Sequence, residues 1–376
     1  MTMTMSMSWL VILILVSTSA FGFDYPYTMR SPKALLMGDA YTAVNDDEYT
    51  LFYNPASLAR HKSDLTLYPF SGQISGTNVL SDMSKFSNFP STPVGAADVL
   101  MDYPVHASAG VAPGFKLFNF GITFIANESY DALLRNNTHP MLDLDLRSDK
   151  GVAMGIGIPL GPSRLTKKSM SGSQTSLGLS TKYIERTGVK DTLALAGPTV
   201  VDSLGQAELN KLLQSLGRVK GIGWGFDAGL EHVAREGNTQ YVIGLSALDI
   251  TGTEYKVVNN PDHLKVANTK DQVNLGLAAG QNFPMFHYIL SADIRGLNEQ
   301  MDFGKRTRFG AQVGVPGLTL LGGLNSGYYS YGAQLDLAFM KLTAGFYDVE
   351  LGSNYKQTKS RRFIIYLSLF DFSFDA

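Results

Sequence analysis

Residues able to do acid–base, nucleophilic or metal chemistry are thinly spread along this 376-residue chain. Its six histidines, His61, His106, His139, His232, His263 and His287, stand singly, with no HExxH and no pair at metal-ligand spacing. The chain has no GxSxG nucleophile elbow and no phosphate-binding lysine loop. Glycine clusters such as Gly221-Ile222-Gly223-Trp224-Gly225 sit in an alternating strand pattern, where close packing explains them better than phosphate binding. A hydrolytic set of Ser, His and Asp would have to be gathered from distant strands, so the expectation is a protein that is not an enzyme and holds no cofactor and no metal. Polar residues do cluster between Met37 and Ala59, MGDAYTAVNDDEYTLFYNPASLA, around Gly38-Asp39, Asp46-Asp47 and Asn54-Pro55. Met37, Ala40, Tyr41 and Val44 have helical spacing, Asp46 or Asp47 can cap a following short turn, and Asn54 before Pro55 favours a turn. The chemistry such side chains offer is hydrogen bonding to turns and buried backbone groups.

The elements that must position these residues are read from period-two alternation. Leu142, Leu144 and Leu146 fall on one face of a strand, with Asp143, Asp145 and Arg147 on the other. Trp224, Phe226, Ala228 and Leu230 alternate with Gly225, Asp227, Gly229 and Glu231. Tyr288, Leu290, Ala292 and Ile294 oppose Ser291, Asp293 and Arg295, and Leu335, Leu337 and Phe339 oppose Gln334 and Asp336. Comparable segments begin near Asp64, His106, Lys116, Gly151, Gln174, Gln240, Val273, Arg306, Gly317, Lys341 and Arg362. Together they predict about 14 strands, within the range of transmembrane barrels. Aromatic residues gather where strands end, as Phe118 with Phe120, Tyr328 with Tyr329 and Tyr331, and Phe370 with Phe372 and Phe374, in the manner of interfacial girdles.

Composition and compartment agree with a membrane barrel. Charged residues make up only 17% of the chain and mean hydropathy is zero, as in a wall that hides apolar side chains between polar ones. The apolar run Trp9–Val16 has the length of a signal-peptide core and is too short to span a bilayer. Small residues follow, which predicts a cleaved signal peptide over residues 1–22, with cleavage after Ala20 as the alternative. No later apolar stretch reaches the roughly 18 residues of a membrane helix, so a membrane-embedded form must be a β-barrel. With no cysteine there is neither a lipoprotein anchor nor a disulfide framework, and a net charge of −2 speaks against a nucleic-acid partner.

The stretch Met37–Ala59, with Met37-Gly38-Asp39-Ala40, Asp46-Asp47 and Asn54-Pro55-Ala56 followed by Leu58-Ala59, resembles the N-terminal segment of the FadL-like outer-membrane proteins. That superfamily includes long-chain fatty acid and aromatic hydrocarbon transporters and the PorV-like and TraF-like proteins. The resemblance covers roughly 30 residues and implies an all-β fold: a transmembrane antiparallel barrel over residues 63–376 with an N-terminal hatch, residues 23–62, inside the lumen. It places the protein in the bacterial outer membrane, among its lipids, and implies transport of a hydrophobic small molecule of the fatty acid or hydrocarbon class. Gly38, Asp39, Asp46, Asp47, Asn54 and Pro55 would then form a polar latch between hatch and wall; the plainer reading is that they cap turns. The alternative function is a PorV-like or TraF-like barrel that binds secretion or envelope proteins.

Two long loops are expected, near residues 72–104 and 187–220. In the second, Leu209, Leu212, Leu213 and Leu216 form an apolar stripe on a helix beginning near Gln206. Such a helix suits loop packing on the barrel rim, a membrane surface or a collecting site for a hydrophobic ligand.

Overall fold

A computed structural model of the chain describes residues 25–60, 65–88, 90–136, 140–161, 165, 171–194, 219–259, 266–337 and 339–374. The expected signal peptide and the helix expected from Gln206 lie outside the described residues. Alternation dictates extended chain, and the chain forms one antiparallel sheet of eighteen strands. These are β1 (Leu65–Tyr68), β2 (Phe70–Thr77), β3 (Val105–Val111), β4 (Gly114–Leu117), β5 (Phe120–Arg135), β6 (Met141–Leu160), β7 (Ser171–Ala194), β8 (Lys220–Glu236) and β9 (Thr239–Leu248). They continue as β10 (Lys256–Asn259), β11 (Gln272–Phe283), β12 (Phe286–Ile294), β13 (Thr307–Val315), β14 (Leu318–Asn325), β15 (Tyr328–Leu337), β16 (Met340–Glu350), β17 (Lys359–Leu369) and β18 (Phe372–Phe374).

Fourteen of them close a ring. β2 pairs with β3 and β3 with β5; pairing then runs neighbour to neighbour from β5 to β9, on to β11, and through to β17, which returns to β2. Closure leaves no sheet edge, the condition for a sheet to stand in hydrocarbon. β1, β4 and β18 extend β2, β3 and β17 beyond breaks at Pro69, at Ala112-Pro113 and at Phe370, whose φ is +59°. The extensions pair among themselves, β4 with β1 and β1 with β18. Three adjacent strands therefore break at one level of the wall, two of them at a proline, which brings no N–H to the ladder, and the third at the left-handed Phe370.

The faces are inverted relative to a soluble protein. Trp224 (56% exposed), Phe226 (55%), Leu290 (55%) and Tyr329 (73%) point outward, while Asp143, Asp145, Asp227, Glu231 and Arg186 on the inward face are almost wholly buried. An exterior of bare aromatic and aliphatic side chains around an ionic interior is stable only where the outside is lipid. Tight turns such as Gly237-Asn238 join strands at the end that carries β1 and β18, and the longer connections, such as residues 78–104, lie at the other. In outer-membrane barrels the short turns are periplasmic. Strand ladders also reach beyond the expected loop limits. β2 continues to Thr77 and β7 to Ala194, and Met141–Leu160 is one strand where the alternation suggested separate segments near Leu142 and Gly151.

Residues 25–60 lie inside this ring. They form helix α1 (Pro32–Leu36) and two short 3₁₀ segments, Thr50–Phe52 and Pro55–Arg60, and contribute most of the main apolar core, including Leu36, Met37, Tyr41, Tyr49, Leu51, Tyr53 and Leu58.

Candidate functional site

The lumenal segment holds its own shape through side chains that replace missing secondary structure. Ser31 caps α1, its Oγ accepting from Ala34 N at 3.1 Å, and Pro32 occupies the first helical turn, where no N–H is needed. Asn45 Nδ2 donates to Asn54 O at 2.9 Å and to Ser57 Oγ at 3.2 Å, tying two turns together. Arg60 donates to Ala43 O (3.2 Å) and Val44 O (2.7 Å). The acidic pair works within the segment too. Lys33 Nζ lies 2.9 Å from Asp46, and Tyr41 OH donates to Asp46 Oδ1 (2.8 Å) and Asp47 Oδ2 (2.9 Å). Ser31 Oγ also donates to Asp47.

The bonds to the wall are made elsewhere. Arg295 forms a buried ion pair with Asp39, whose Oδ1 also accepts from Tyr53 OH at 3.1 Å. Asp293 Oδ2 accepts the amides of Tyr41 (2.9 Å) and Thr42 (2.8 Å). Ser57 Oγ donates to Glu231 at 2.6 Å, with Arg60 Nε 3.2 Å from the same carboxylate, and Tyr366 OH donates to Glu48. Asn54 reaches the wall weakly, through Leu230 O at 3.4 Å, and Gly38 N donates to Ser330 Oγ at 2.9 Å. Pro55 packs against Gly178 of β7. Of the residues singled out in sequence, Gly38, Asp39, Asn54 and Pro55 thus meet the wall, while the side chains of Asp46 and Asp47 bond within the segment. The wall partners escaped sequence reasoning, which showed Asp293, Arg295 and Glu231 only as polar members of alternating strands and did not single out Tyr366.

Glycine completes the seat. On nine ring strands, β6 to β9, β11 and β13 to β16, an inward glycine stands where a Cβ would collide with the lumenal segment. The atoms met include Ala59 N at Gly157, Ala56 N at Gly178, Thr42 O at Gly244, Met37 O at Gly310 and Gly38 N at Gly323. Backbone lies directly on backbone, an approach only glycine permits.

Burial pushes the Glu48 carboxyl up to about 7, with Asp47 adding repulsion against the pull of Lys341 and the Tyr366 hydroxyl. Burial and Asp46 likewise push Asp47 up. Burial alone would raise Asp39 as well, but Arg295 and Arg30 outweigh it and hold the carboxyl below its usual range. For Glu48 the folded chain keeps a proton that the unfolded chain has lost, so its contribution to stability falls as pH rises from about 4.5 to 7. Wild-type protein in detergent micelles should therefore melt at higher temperature at pH 5 than at pH 8, by an amount worth ~1–3 kcal/mol. Glu48→Gln should flatten that difference, and an unchanged difference in the variant would show the pH dependence to come from elsewhere.

A hollow of about 220 Å³ lies against Asp46, Asp47, Glu48, Lys341 and Tyr366, and others adjoin the segment and its wall. One of about 500 Å³ opens below the segment, lined by Val44, Asn45, Arg60, Val242, Ala278 and Ile289 among others. A small one of about 60 Å³ lies between Tyr25–Arg30 and the inward faces of β2, β3 and β5, where Gln73, Ser75, His106, Ser108, Asn127, Ser129 and Asp131 meet. Another, of about 520 Å³ and predominantly apolar, lies on the lipid-facing side of those strands, against Phe70, Gly72, Ile74, Ala109, Val111, Ile365 and Leu367. Gln73 and Asn127 line both the small hollow and this outer one. The remaining inward charges are largely paired: Arg186 with Asp149 (2.6 Å), Lys182 with Asp227 (2.9 Å) and Asp249 (3.0 Å), and Arg362 with Asp131 (3.0 Å). No group of metal-ligating side chains occurs among the described residues. His61, His139 and His263 lie outside them, and His232 and His287 stand apart from one another on the β8 and β12 strands.

No family model and no curated protein matches the chain. Solved structures do. The CymD monoaromatic hydrocarbon channel is similar at 12% identity, covering 94% of this chain and 100% of that one, with a TM-score of 0.44. The Pseudomonas putida toluene transporter TodX is similar at 12% identity over 93% of this chain and 100% of that one, TM-score 0.43. A Pseudomonas aeruginosa FadL homologue, at 9% identity over 93% of this chain and 99% of that one, has a TM-score of 0.31. The likeness is one of barrel form at low identity.

Proposed function

We propose that the protein transports hydrophobic small molecules, of the fatty acid or hydrocarbon class, across the outer membrane, with residues 23–62 acting as a hatch. The supporting observation is the pair of hollows on either side of the wall at β2, β3 and β5, which share Gln73 and Asn127. Gly72 on β2 and Gly110 on β3 add no side chain to the wall here, and the strand breaks at Pro69, Pro113 and Phe370 lie close by. A molecule passing through this wall enters apolar surroundings directly and never has to cross water. The inner hollow, at about 60 Å³, is smaller than the ~150 Å³ that accommodates benzene, so passage requires Tyr25–Arg30 or Gln73 to move aside. The lower hollow, half apolar, receives material on the periplasmic side.

Leucine at Gly72 tests the route. Its Cβ would meet the Phe70 ring at 3.2 Å and Val111 Cγ1 at 3.7 Å, side-chain atoms that can yield, so the barrel should fold while the outer hollow fills. Uptake of radiolabelled alkane or fatty acid into vesicles carrying Gly72→Leu should drop to that of protein-free vesicles. Full uptake by a folded variant would remove this route. The close seating of the segment on nine strands favours a second reading, a barrel that serves as a fixed scaffold for envelope proteins. A stoichiometric protein partner in native mass spectrometry, with no uptake by wild type, would select it.

A further inference from the structure

The inward face of β3 and β5 brings together three side chains that the transport reading leaves unused. His106 and Ser108 are two residues apart on β3 and share the lumenal face, and Asp131 on β5 stands directly opposite His106 in the antiparallel register. His106 Nδ1 and Asp131 Oδ1 are 2.7 Å apart, and Ser108 Oγ lies 3.3 Å from His106 Nε2. Asp131 is fixed from two further sides, by Ser129 Oγ at 3.2 Å and Arg362 at 3.0 Å. His106 and Asp131 are buried, whereas Ser108 is half-buried and lines the 60 Å³ hollow together with Arg147 and Arg362. With the ring proton on Nδ1 donated to Asp131, Nε2 turns its lone pair to the Ser108 hydroxyl. That is the order of contacts by which a serine is activated as a nucleophile.

We propose that Ser108, His106 and Asp131 form a hydrolytic site for short-chain carboxylic esters that reach the lumen. Ser108 Oγ bonds to the ester carbonyl carbon while its proton passes to His106 Nε2, and the carbonyl electron pair moves to oxygen, where the Arg147 and Arg362 guanidiniums supply positive charge. Collapse breaks the bond to the alcohol oxygen, which leaves with the proton from Nε2. Water then attacks the acyl-Ser108 carbonyl, giving a proton to Nε2, and the acid departs as Ser108 regains that proton. Asp131 is a positioning residue, keeping the ring turned and its Nδ1 protonated. The hollow holds a carbonyl and a few carbons, which sets the acyl chain as short. This site is independent of whether the wall passes hydrocarbons.

The test uses the full barrel in detergent micelles with p-nitrophenyl butyrate and a fluorophosphonate probe, the label located by mass spectrometry. Wild type should hydrolyse the ester and carry the label on Ser108, and Ser108→Ala should lose both. Ser246→Ala, changed on the inward face of β9 away from this hollow, should keep both. Asp131→Asn should lower kcat by roughly 10²- to 10⁴-fold with KM little altered, as expected of a group that orients the base and does not build the pocket. Ser108→Cys gives a second readout in a chain without cysteine. Beside His106 its thiol should be alkylated by iodoacetamide well faster than a thiol at Ser75→Cys. No label on Ser108, wild-type hydrolysis by Ser108→Ala, or equal alkylation of the two thiols would each overturn the proposal.

Discussion

Gly178→Leu should unseat the lumenal segment, the largest effect expected of any single substitution in the wall. At Gly178 the added Cβ would fall on Ala56 N and Pro55 C, main-chain atoms of a 3₁₀ turn whose neighbours are fixed by Asn45, Ser57 and Glu231. A side-chain neighbour could rotate away; this one can move only if the turn moves. Overpacking against backbone puts the cost at ~3 kcal/mol or more, and it is concentrated on the contact between segment and wall because the β6–β7–β8 ladders have no reason to change. The ring should still form and show heat-modifiable migration on gels, while proteinase K should cut between Met37 and Arg60, where wild type resists. Gly322→Ala is the matching control, since a Cβ there meets nothing nearer than Ser330 O at 3.9 Å. If Gly178→Leu leaves the segment as protected as Gly322→Ala does, the glycine seat is not what holds it.

Much of the barrel is legible in sequence because lipid reverses the usual rule without changing its period. Trp224, Phe226 and Leu230 alternate with Asp227 and Glu231 whichever face is wet, so strand number follows from counting, while closure follows from the lack of any apolar stretch long enough for a membrane helix. Strand ends are less legible. Ser148 and Lys150 interrupt the apolar face of β6 where it leaves the membrane, yet its pairing with β5 and β7 continues unbroken to Met141. The seat was invisible for another reason. Each glycine in it reads as a weak point in a strand, and only the ring register places ten of them, on nine strands, against one segment. His106 and Ser108 are two apart and could have been noticed as an H-x-S pair on one face, but Asp131 joins them only because β3 pairs with β5 across the β4 turn. The wall bonds of the segment span 66 to 318 residues of chain, beyond the reach of any local pattern.

Asp39→Ala should be the most damaging change within the segment. Its carboxylate and the Arg295 guanidinium are both almost wholly buried, and Arg295 lies over the Tyr27 and Tyr53 rings at 5.2 and 5.4 Å from their centroids. Two aromatic faces soften the loss of the partner without replacing it, because a guanidinium needs acceptors and the rings offer no oxygen in its plane. Removing one member of a buried pair costs ~3–5 kcal/mol, more than an exposed pair such as Lys33–Asp46 would lose. Asp39→Ala combined with Arg295→Met takes away both charges, so the double variant should be more stable than Asp39→Ala alone. The same ordering should appear in planar bilayers. Wild type should stay closed, Asp39→Ala should show channel openings as the segment leaves its seat, and the double variant should open less often. Asp293 continues to hold the Tyr41 and Thr42 amides in all three proteins, so the openings report the Asp39–Arg295 pair and not a general loss of contact. Silent recordings and full protease resistance in Asp39→Ala would mean that the seat, and not the ion pair, keeps the segment in place.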